Sequence, residues 1–133
     1  MKIEVIDCTL RDGEQTPGVW FTIAEKVEIA TMLDRAGIDM LDAGFPGSSG
    51  DEIETIQALR HRGLRATIGA TARAIVADVI AAERARAQDV FLFLPTSDLR
   101  LIGIGLSREA AAQRLRACAE EVVGRGMGLN LVA

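Results

Sequence analysis

The run Asp89-Val-Phe-Leu-Phe-Leu94 decides the fold class of this 133-residue chain. Its apolar residues follow one another without polar alternation, which is typical of a strand that is covered on both faces of a sheet. Other short apolar runs predict four further strands: residues 3–8, 40–43, 66–70 and 129–132. Between the strands, apolar residues at helical spacing predict four helices: residues 22–36, 51–62, 74–86 and 107–123.

Strands and helices that alternate in this way predict an α/β protein with parallel strands and right-handed crossovers. Strand starts recur every ~30 residues, close to the repeat of an eight-unit (β/α) barrel. The rival is a doubly wound open sheet, which usually opens with a Gly-x-Gly-x-x-Gly phosphate turn. That turn is absent, and the nearest stretch, Gly103-Ile-Gly105, follows a predicted long loop instead of a strand. The pattern therefore favours the barrel.

The chain is too short to close such a barrel. Five strands and four helices make about the first four and a half units of a TIM barrel, which predicts a single partial catalytic domain over residues 1–133. Two open parallel edges and an uncovered interior face invite association. We therefore expect that the chain pairs with a complementary C-terminal half-barrel chain or with a second copy of itself, or that it is a remnant or an excerpt of a longer protein.

Composition limits the classes of binding partner and the cellular locations that are expected. The net charge is −4 and no Lys/Arg cluster marks a phosphate-binding face, so nucleic acid is not an expected partner. Two distant cysteines, Cys8 and Cys118, form neither a disulfide framework nor a zinc motif. Charges within the first seven residues argue against a signal peptide, and no apolar run reaches the ~20 residues that span a membrane. The expected location is cytoplasmic.

The segment that carries the chemistry is Asp7-Cys-Thr-Leu-Arg-Asp-Gly-Glu-Gln-Thr-Pro-Gly18, which follows the first predicted strand. In TIM barrels the loops after the strands hold the active site. The segment sets Arg11 beside Asp12. An aspartate can ligate a hard divalent cation, and a neighbouring guanidinium can hold a carboxylate or a developing enolate. An isolated Arg-Asp pair is usually two solvated loop charges, so the surrounding residues decide the interpretation.

Those surroundings resemble the signature of the family that contains 2-isopropylmalate synthase, homocitrate synthase and citramalate synthase, which reads Asp-x-Thr-Leu-Arg-Asp-Gly-x-Gln. Three further stretches are similar to that family, each directly after its predicted strand: Leu41-Asp-Ala-Gly-Phe-Pro-Gly-Ser-Ser-Gly-Asp51, Ala72-Arg-Ala74 and Leu94-Pro-Thr-Ser-Asp-Leu99. The resemblance covers essentially the whole chain in order. It implies the N-terminal half of a metal-dependent TIM barrel.

The activity that the resemblance implies is a Claisen condensation of acetyl-CoA with a 2-oxo acid. It implies a divalent cation cofactor, Mg²⁺, Mn²⁺ or Zn²⁺, with Asp12 as a ligand. Arg11 would hold the 2-oxo acid and steady the enolate, and Gln15 would support the site by hydrogen bonding. Asp42 stands where the family usually has a glutamate that helps to bind the 2-oxo acid. The implied substrate-binding residues are Arg11, Asp42, Arg73, Thr96 and Ser97.

The chain also departs from the family pattern. The family's other metal ligands form a His-x-His pair on a late strand, but the only histidine here is His61, at a predicted helix end. A helix C-terminus favours a cation without any catalytic role, so His61 is interpreted as a solvated residue. Phe91 and Arg100 stand where relatives often have histidines. These departures predict that the chain alone binds metal weakly and catalyses little.

The sequence leaves two alternative functions open. One is a lyase or aldolase of the same metal-barrel superfamily, which uses a similar Arg-Asp loop. Gln15-Thr-Pro-Gly18 and Gly44-Phe-Pro46 are more similar to the synthases than to those enzymes. The other is a non-catalytic half-barrel remnant that associates through its open edges, which the chain length and the missing histidine pair favour.

Overall fold

A computed structural model of the chain describes residues 3–132. Met1 and Lys2, which belong to the charged N-terminal stretch, and Ala133 lie outside the described residues. The chain alternates between strands and helices, with one 3-10 turn at Gly13–Gln15: β1 Ile6–Asp7, α1 Ile23–Ala36, β2 Met40–Asp42, α2 Gly50–Arg62, β3 Thr67–Arg73, α3 Val76–Arg84, β4 Asp89–Phe93, α4 Asp98–Gly103, α5 Arg108–Gly124 and β5 Gly128–Val132.

The five strands form one parallel sheet in the order β1-β2-β3-β4-β5. Each strand pairs with the next strand along the chain, so the order never reverses as it does in a doubly wound sheet. The predicted α/β class with partial TIM-barrel units is confirmed. Within residues 3–132, β1 and β5 each keep one edge without a partner strand.

The two faces of the sheet have different surroundings. On the outer face, Leu41, Ile68, Val90 and Leu92 are fully buried in a core that also contains helix residues, among them Ile56, Leu59, Val79 and Val122. Burial of these side chains against the helices provides most of the hydrophobic stabilisation. The opposite face, called the inner face below, is largely polar or aromatic: Met40, Asp42, Thr67, Thr71, Asp89, Phe91, Phe93 and Asn130.

Helix starts follow the sequence signals closely. Thr22 accepts a hydrogen bond from the amide of Glu25, whose side chain accepts from the Thr22 amide in return, so the two residues form a capping box at the start of α1. Gly37 and Gly63 end α1 and α2 in the left-handed conformation, with φ of 91° and 68°. Ser107 caps α5 through the amide of Ala110. None of the helices within residues 3–132 has the length and apolar character needed to cross a bilayer.

Several boundaries differ from the prediction, and the helix predicted over residues 74–86 spans only Val76–Arg84. The first strand was predicted over residues 3–8, but only Ile6–Asp7 pairs with β2. The third strand continues past residue 70 to Arg73, because residues 71–73 pair with β4 although Thr71 and Arg73 are polar. The predicted long loop after β4 contains a short helix, α4, whose Leu101 is buried against the rest of the fold.

Gly69 lies at the centre of the inner face, in register with Asp42 and Asp89. A Cβ atom at this position would overlap the edge of the Phe91 ring. Gly69→Ala is expected to lower the free energy of unfolding by about 1–3 kcal/mol, because a buried ring must move. Urea denaturation measures the loss. Gly124→Ala is the control, since a Cβ there meets nothing within 4 Å; an equal loss in both variants would contradict the packing argument.

Candidate active site

A tight turn after β1 directs the two charged residues of the signature segment. The carbonyl oxygen of Cys8 accepts hydrogen bonds from the amides of Arg11, Asp12 and Gly13, at 3.2, 2.8 and 3.2 Å. Leu10, which is 1% exposed, anchors the turn in the core. The guanidinium of Arg11 consequently points towards the inner face, whereas the carboxylate of Asp12 is 67% exposed.

Arg11 is bound to Asp42, the last residue of β2. Its Nε donates to Oδ2 of Asp42 at 2.7 Å, and the Thr71 hydroxyl donates to the same carboxylate at 2.9 and 3.1 Å. Asp42 is 1% exposed, so both its oxygens are satisfied inside the protein. The turn after β1, the end of β2 and Thr71 of β3 thus meet in one cluster. The predicted substrate contact Asp42 lies beneath Arg11 and holds it.

Burial and the neighbouring charges shift the pKa values of Asp42, Arg11 and Cys8. Burial raises the pKa of Asp42 above its ordinary value, although Arg11 and Thr71 act to lower it. Burial acts to lower the pKa of Arg11, but the hydrogen bond and charge of Asp42 raise it above its ordinary value. Burial and the charge of Asp42 also raise the pKa of the Cys8 thiol, which therefore stays protonated at neutral pH.

Asp12 supplies one potential metal ligand. Nη1 of Arg11 donates to its Oδ1 at 3.1 Å, and the rest of the carboxylate faces solvent. Within residues 3–132, no group of three or more His, Cys, Asp or Glu side chains is arranged to hold a metal ion. A divalent cation needs several oxygen or nitrogen ligands. The described residues therefore fit a single position in a metal site, and not a complete site.

Gln15 lies at the rim of a small cavity beside this cluster. The cavity has a volume of about 230 Å³ and is lined by Arg11, Glu14, Gln15, Phe45, Ser48 and Glu52. It opens between the turn after β1 and the loop after β2. Its lining combines the Phe45 ring with polar and charged side chains, and the Arg11 guanidinium is a group on it that can donate to a small ligand.

Arg73, the last residue of β3, is fixed in orientation. Buried Asp78 accepts from its Nε and Nη2 at 2.7 and 3.0 Å and from its amide at 3.1 Å. The guanidinium carbon lies 5.2 Å from the centroid of the Phe45 ring, within the range of a cation–π contact. The hydrogen bond to Asp78 raises the pKa of Arg73. Arg73 nevertheless remains 54% exposed at the carboxyl ends of the strands, called the mouth below, where it can still contact a ligand.

Thr96 and Ser97 lie after β4 and are exposed. Ser97 caps α4 by its backbone position, and its side chain makes no capping hydrogen bond. Within residues 3–132, no hydrogen bond or ion pair joins either residue to Arg11, Asp12 or Asp42. The structure thus brings Arg11, Asp12 and Asp42 together, and it leaves the predicted contacts Thr96 and Ser97 outside that cluster.

The sequence did not single out Lys26, which lies on α1 and is 3% exposed. Its Nζ contacts Glu14 at 2.6 Å and Glu52 at 2.8 Å. Burial acts to lower the pKa of Lys26, but the two carboxylates raise it above its ordinary value, so the ammonium stays charged. A lysine on a predicted helix is expected to face solvent, so the sequence gives no signal for this buried role. Thr71 and Asp78 were also missed. Thr71 acts on Asp42, which is 29 residues away in sequence, and Asp78 acts on Arg73, which lies on the preceding strand.

Comparisons with known proteins identify a family and several relatives of this chain. The sequence profile of the HMGL-like family matches residues 2–132. A protein from Methanopyrus kandleri named "Probable 2-isopropylmalate synthase" is 45% identical over 114 residues, which are 85% of this chain and 23% of that protein. A homocitrate synthase from the same organism is 40% identical over 95% of this chain and 32% of its own length.

A solved structure has the same fold. The crystal structure of HMG-CoA lyase from Bacillus subtilis superposes with a TM-score of 0.82 over 98% of this chain and 45% of that chain, at 17% identity. The chain spans only about a quarter to a third of the length of the two synthase-named relatives.

Proposed function

Because the chain belongs to the HMGL-like family, we propose that it forms the N-terminal part of an acyltransferase of the 2-isopropylmalate/homocitrate synthase type. The proposed reaction is a Claisen condensation of acetyl-CoA with a 2-oxo acid, followed by thioester hydrolysis. The cluster of Arg11, Asp12 and Asp42 at the carboxyl ends of the strands is the observation that carries this proposal. The cytoplasmic location expected from the sequence stays a prediction.

Arg11 has the chemistry that the condensation requires. Deprotonation of the acetyl methyl group and attack on the ketone both place negative charge on oxygen. A guanidinium already oriented by Asp42 stabilises such an oxygen without reorganisation. Two of its nitrogens donate to Asp42 and Asp12, and no hydrogen bond within residues 3–132 engages Nη2, which leaves this nitrogen for a ligand. Arg11 is thus proposed to hold the 2-oxo acid and to steady the enolate.

Asp42 has a supporting role in this proposal. Its carboxylate is buried and already saturated by Arg11 and Thr71, so it acts on the substrate through the orientation of Arg11. Gln15 at the rim of the cavity and Arg73 at the mouth are the proposed further contacts. Thr96 and Ser97 stay proposed substrate contacts on the β4 side, although the structure leaves them apart from the Arg11 cluster.

Asp12 is the residue proposed to ligate a divalent cation, because its carboxylate is exposed beside Arg11. Such a cation, when bound, polarises the ketone of a chelating 2-oxo acid. One carboxylate cannot complete a site, so the remaining ligands are proposed to come from the other half of the barrel, as the family's His-x-His pair. The proposed cation is Mg²⁺, Mn²⁺ or Zn²⁺.

The proposed partner is a complementary half-barrel. Ile6 on β1 and Leu131 on β5 are 43% and 60% exposed at the two open edges. Unpaired strand edges with exposed apolar side chains favour pairing with another strand. The missing units would cover the inner face and bring further loops to the mouth beside Arg11 and Asp12. Pairing of two copies of this chain is the competing arrangement.

The proposal is tested by restoring the barrel. The chain is co-expressed with the segment of the Methanopyrus kandleri 2-isopropylmalate synthase-type relative that follows the matched region. CoA thiol release is measured with acetyl-CoA, each divalent cation and 2-oxo acids from pyruvate to 2-oxoglutarate. Release that requires both polypeptides supports the proposal. Cleavage of hydroxymethylglutaryl-CoA without thiol release would favour a lyase, and no turnover of either kind would favour a remnant.

A further inference from the structure

Lys26 places a buried charge between two separate parts of the candidate site. Its ammonium lies between the carboxylates of Glu14 in the 3-10 turn and Glu52 in the first turn of α2. A buried ammonium is tolerated only when its charge is paired and its hydrogen bonds are satisfied. The lysine therefore holds both carboxylates within hydrogen-bond distance, although Glu14 and Glu52 are 38 residues apart in sequence.

Each of these carboxylates also accepts a backbone amide. Glu14 accepts from Phe21 at 2.9 Å, which closes the segment between the 3-10 turn and α1. Glu52 accepts from Phe45 at 2.6 Å, which fixes the loop after β2. Lys26 itself touches neither amide. The two carboxylates thus transmit the position of the ammonium to both loops.

Gly44 makes the second of these connections possible. Its φ is 153°, and a Cβ atom at this position would overlap Oε2 of Glu52. The absence of a side chain lets the carboxylate approach the loop backbone closely. The loop therefore carries a specific local adaptation for the hydrogen bond between Glu52 and Phe45.

The same residues form the cavity next to Arg11. Glu14 and Glu52 line it together with Phe45, and Arg11 and Gln15 complete the wall on the side of the turn. Any shift of the 3-10 turn relative to the loop after β2 changes the shape of this cavity. Lys26 is the group that sets this separation, since it bonds to both sides.

We propose that Lys26 is a positioning residue of the candidate active site, which fixes the 3-10 turn against the loop after β2 and so sets the cavity that receives the 2-oxo acid beside Arg11. The inference rests on the proposed function for the identity of the ligand. The contacts of Lys26 with Glu14 and Glu52, called the clamp below, belong to this chain and can be tested without turnover.

The first experiment compares amide hydrogen exchange of the wild-type chain and Lys26→Met by NMR. The amides of Phe21 and Phe45 are expected to exchange at least about tenfold faster in the variant, because local opening of both loops becomes easier. The amides of Val90 and Leu92 in β4 are expected to keep their rates. Unchanged rates at Phe21 and Phe45 would overturn the proposal, and so would an equal acceleration at all four amides.

A second variant covers the case in which Lys26→Met does not fold. The triple variant K26M/E14Q/E52Q removes the buried charges together, so the fold has no unpaired ion to accommodate. The reference is E14Q/E52Q, which changes the same two acceptors and keeps the lysine. If Lys26 is a clamp, Phe21 and Phe45 exchange faster in the triple variant than in this reference while β4 keeps its protection. Equal exchange at both amides in the two variants would mean that the lysine only balances charge, which overturns the proposal.

The catalytic readout uses the complemented barrel. Lys26→Met is expected to lower kcat/KM for the 2-oxo acid about tenfold, since a small displacement of positioning groups has large kinetic effects. Arg125→Met is the control, because it breaks an ion pair with Glu83 and Glu121 away from the cavity. Unchanged kinetics in Lys26→Met would overturn the positioning role. Failure of the wild-type barrel to release CoA would reject the proposed function, while the exchange experiment would still decide on the clamp.

Discussion

Arg11→Met is expected to lower the free energy of unfolding at pH 7 by about 3 kcal/mol, because the change removes the cation that pairs with a buried carboxylate. Asp42 is 1% exposed and would keep only the hydrogen bond from Thr71. A buried charge without its partner is far more costly than the loss of a surface ion pair. Urea denaturation of the two proteins measures the difference.

The size of this loss is expected to depend on pH. The pKa of Asp42 is already raised by burial, and removal of Arg11 raises it further because Arg11 acts to lower it. Between the ordinary pKa of Asp42 and its folded value, the folded state holds the extra proton. Stability therefore rises as the pH falls through this range, and the variant regains part of its loss on acidification from pH 7.

The control is the double variant R11M/D42N, which removes both charges and leaves a neutral side chain beside Thr71. It is expected to recover most of the stability lost in Arg11→Met, because no buried ion remains unpaired. If Arg11→Met unfolds with wild-type free energy at pH 7, or if its loss grows as the pH falls, the account of the Arg11–Asp42 pair is wrong.

Asp12→Asn is expected to reduce kcat of the complemented barrel about 1,000-fold while it changes the free energy of unfolding by less than about 0.5 kcal/mol. The asparagine keeps the shape of the side chain but lacks the negative charge that a divalent cation needs. The carboxylate is 67% exposed, and its hydrogen bond to Arg11 lies at the surface, so the fold depends little on it. Steady-state CoA release and urea denaturation give the two numbers.

Glu83→Gln is the matched control for this prediction. Glu83 is also an exposed carboxylate in an ion pair with an arginine, Arg125, but it lies on α3 away from the turn after β1. The control is expected to keep wild-type kcat. Equal rates in wild type and Asp12→Asn would remove Asp12 from the proposed chemistry, and a large loss of stability would mean that its role is structural.

The order of strands and helices could be predicted because apolar runs and helical spacing are local properties of the sequence. The capping box at Thr22 and the glycine stops at Gly37 and Gly63 set the helix limits in the same local way. The short helix α4 could not be predicted so easily. It has six residues, and it depends on burial of Leu101, which is a tertiary contact.

The site was predictable where chemistry depends on adjacent residues, as for Arg11 and Asp12 in the turn after β1. The partnership of Arg11 with Asp42 joins residues on two elements, and the sequence indicates the two residues but not their contact. Lys26 was missed because lysines on amphipathic helices are normally solvated. Only the fold reveals that Glu14 and Glu52 approach it from two different loops.

Asp12 is proposed to ligate a divalent cation beside Arg11 at the mouth of the barrel. The most direct test of this proposal is a crystal structure of the complemented barrel grown with Mn²⁺ and a 2-oxo acid, with anomalous diffraction recorded at the manganese edge. One anomalous peak is expected within ligation distance of the Asp12 carboxylate, with Arg11 still bound to Asp42. A bound manganese ion whose ligands do not include Asp12 would contradict the proposal.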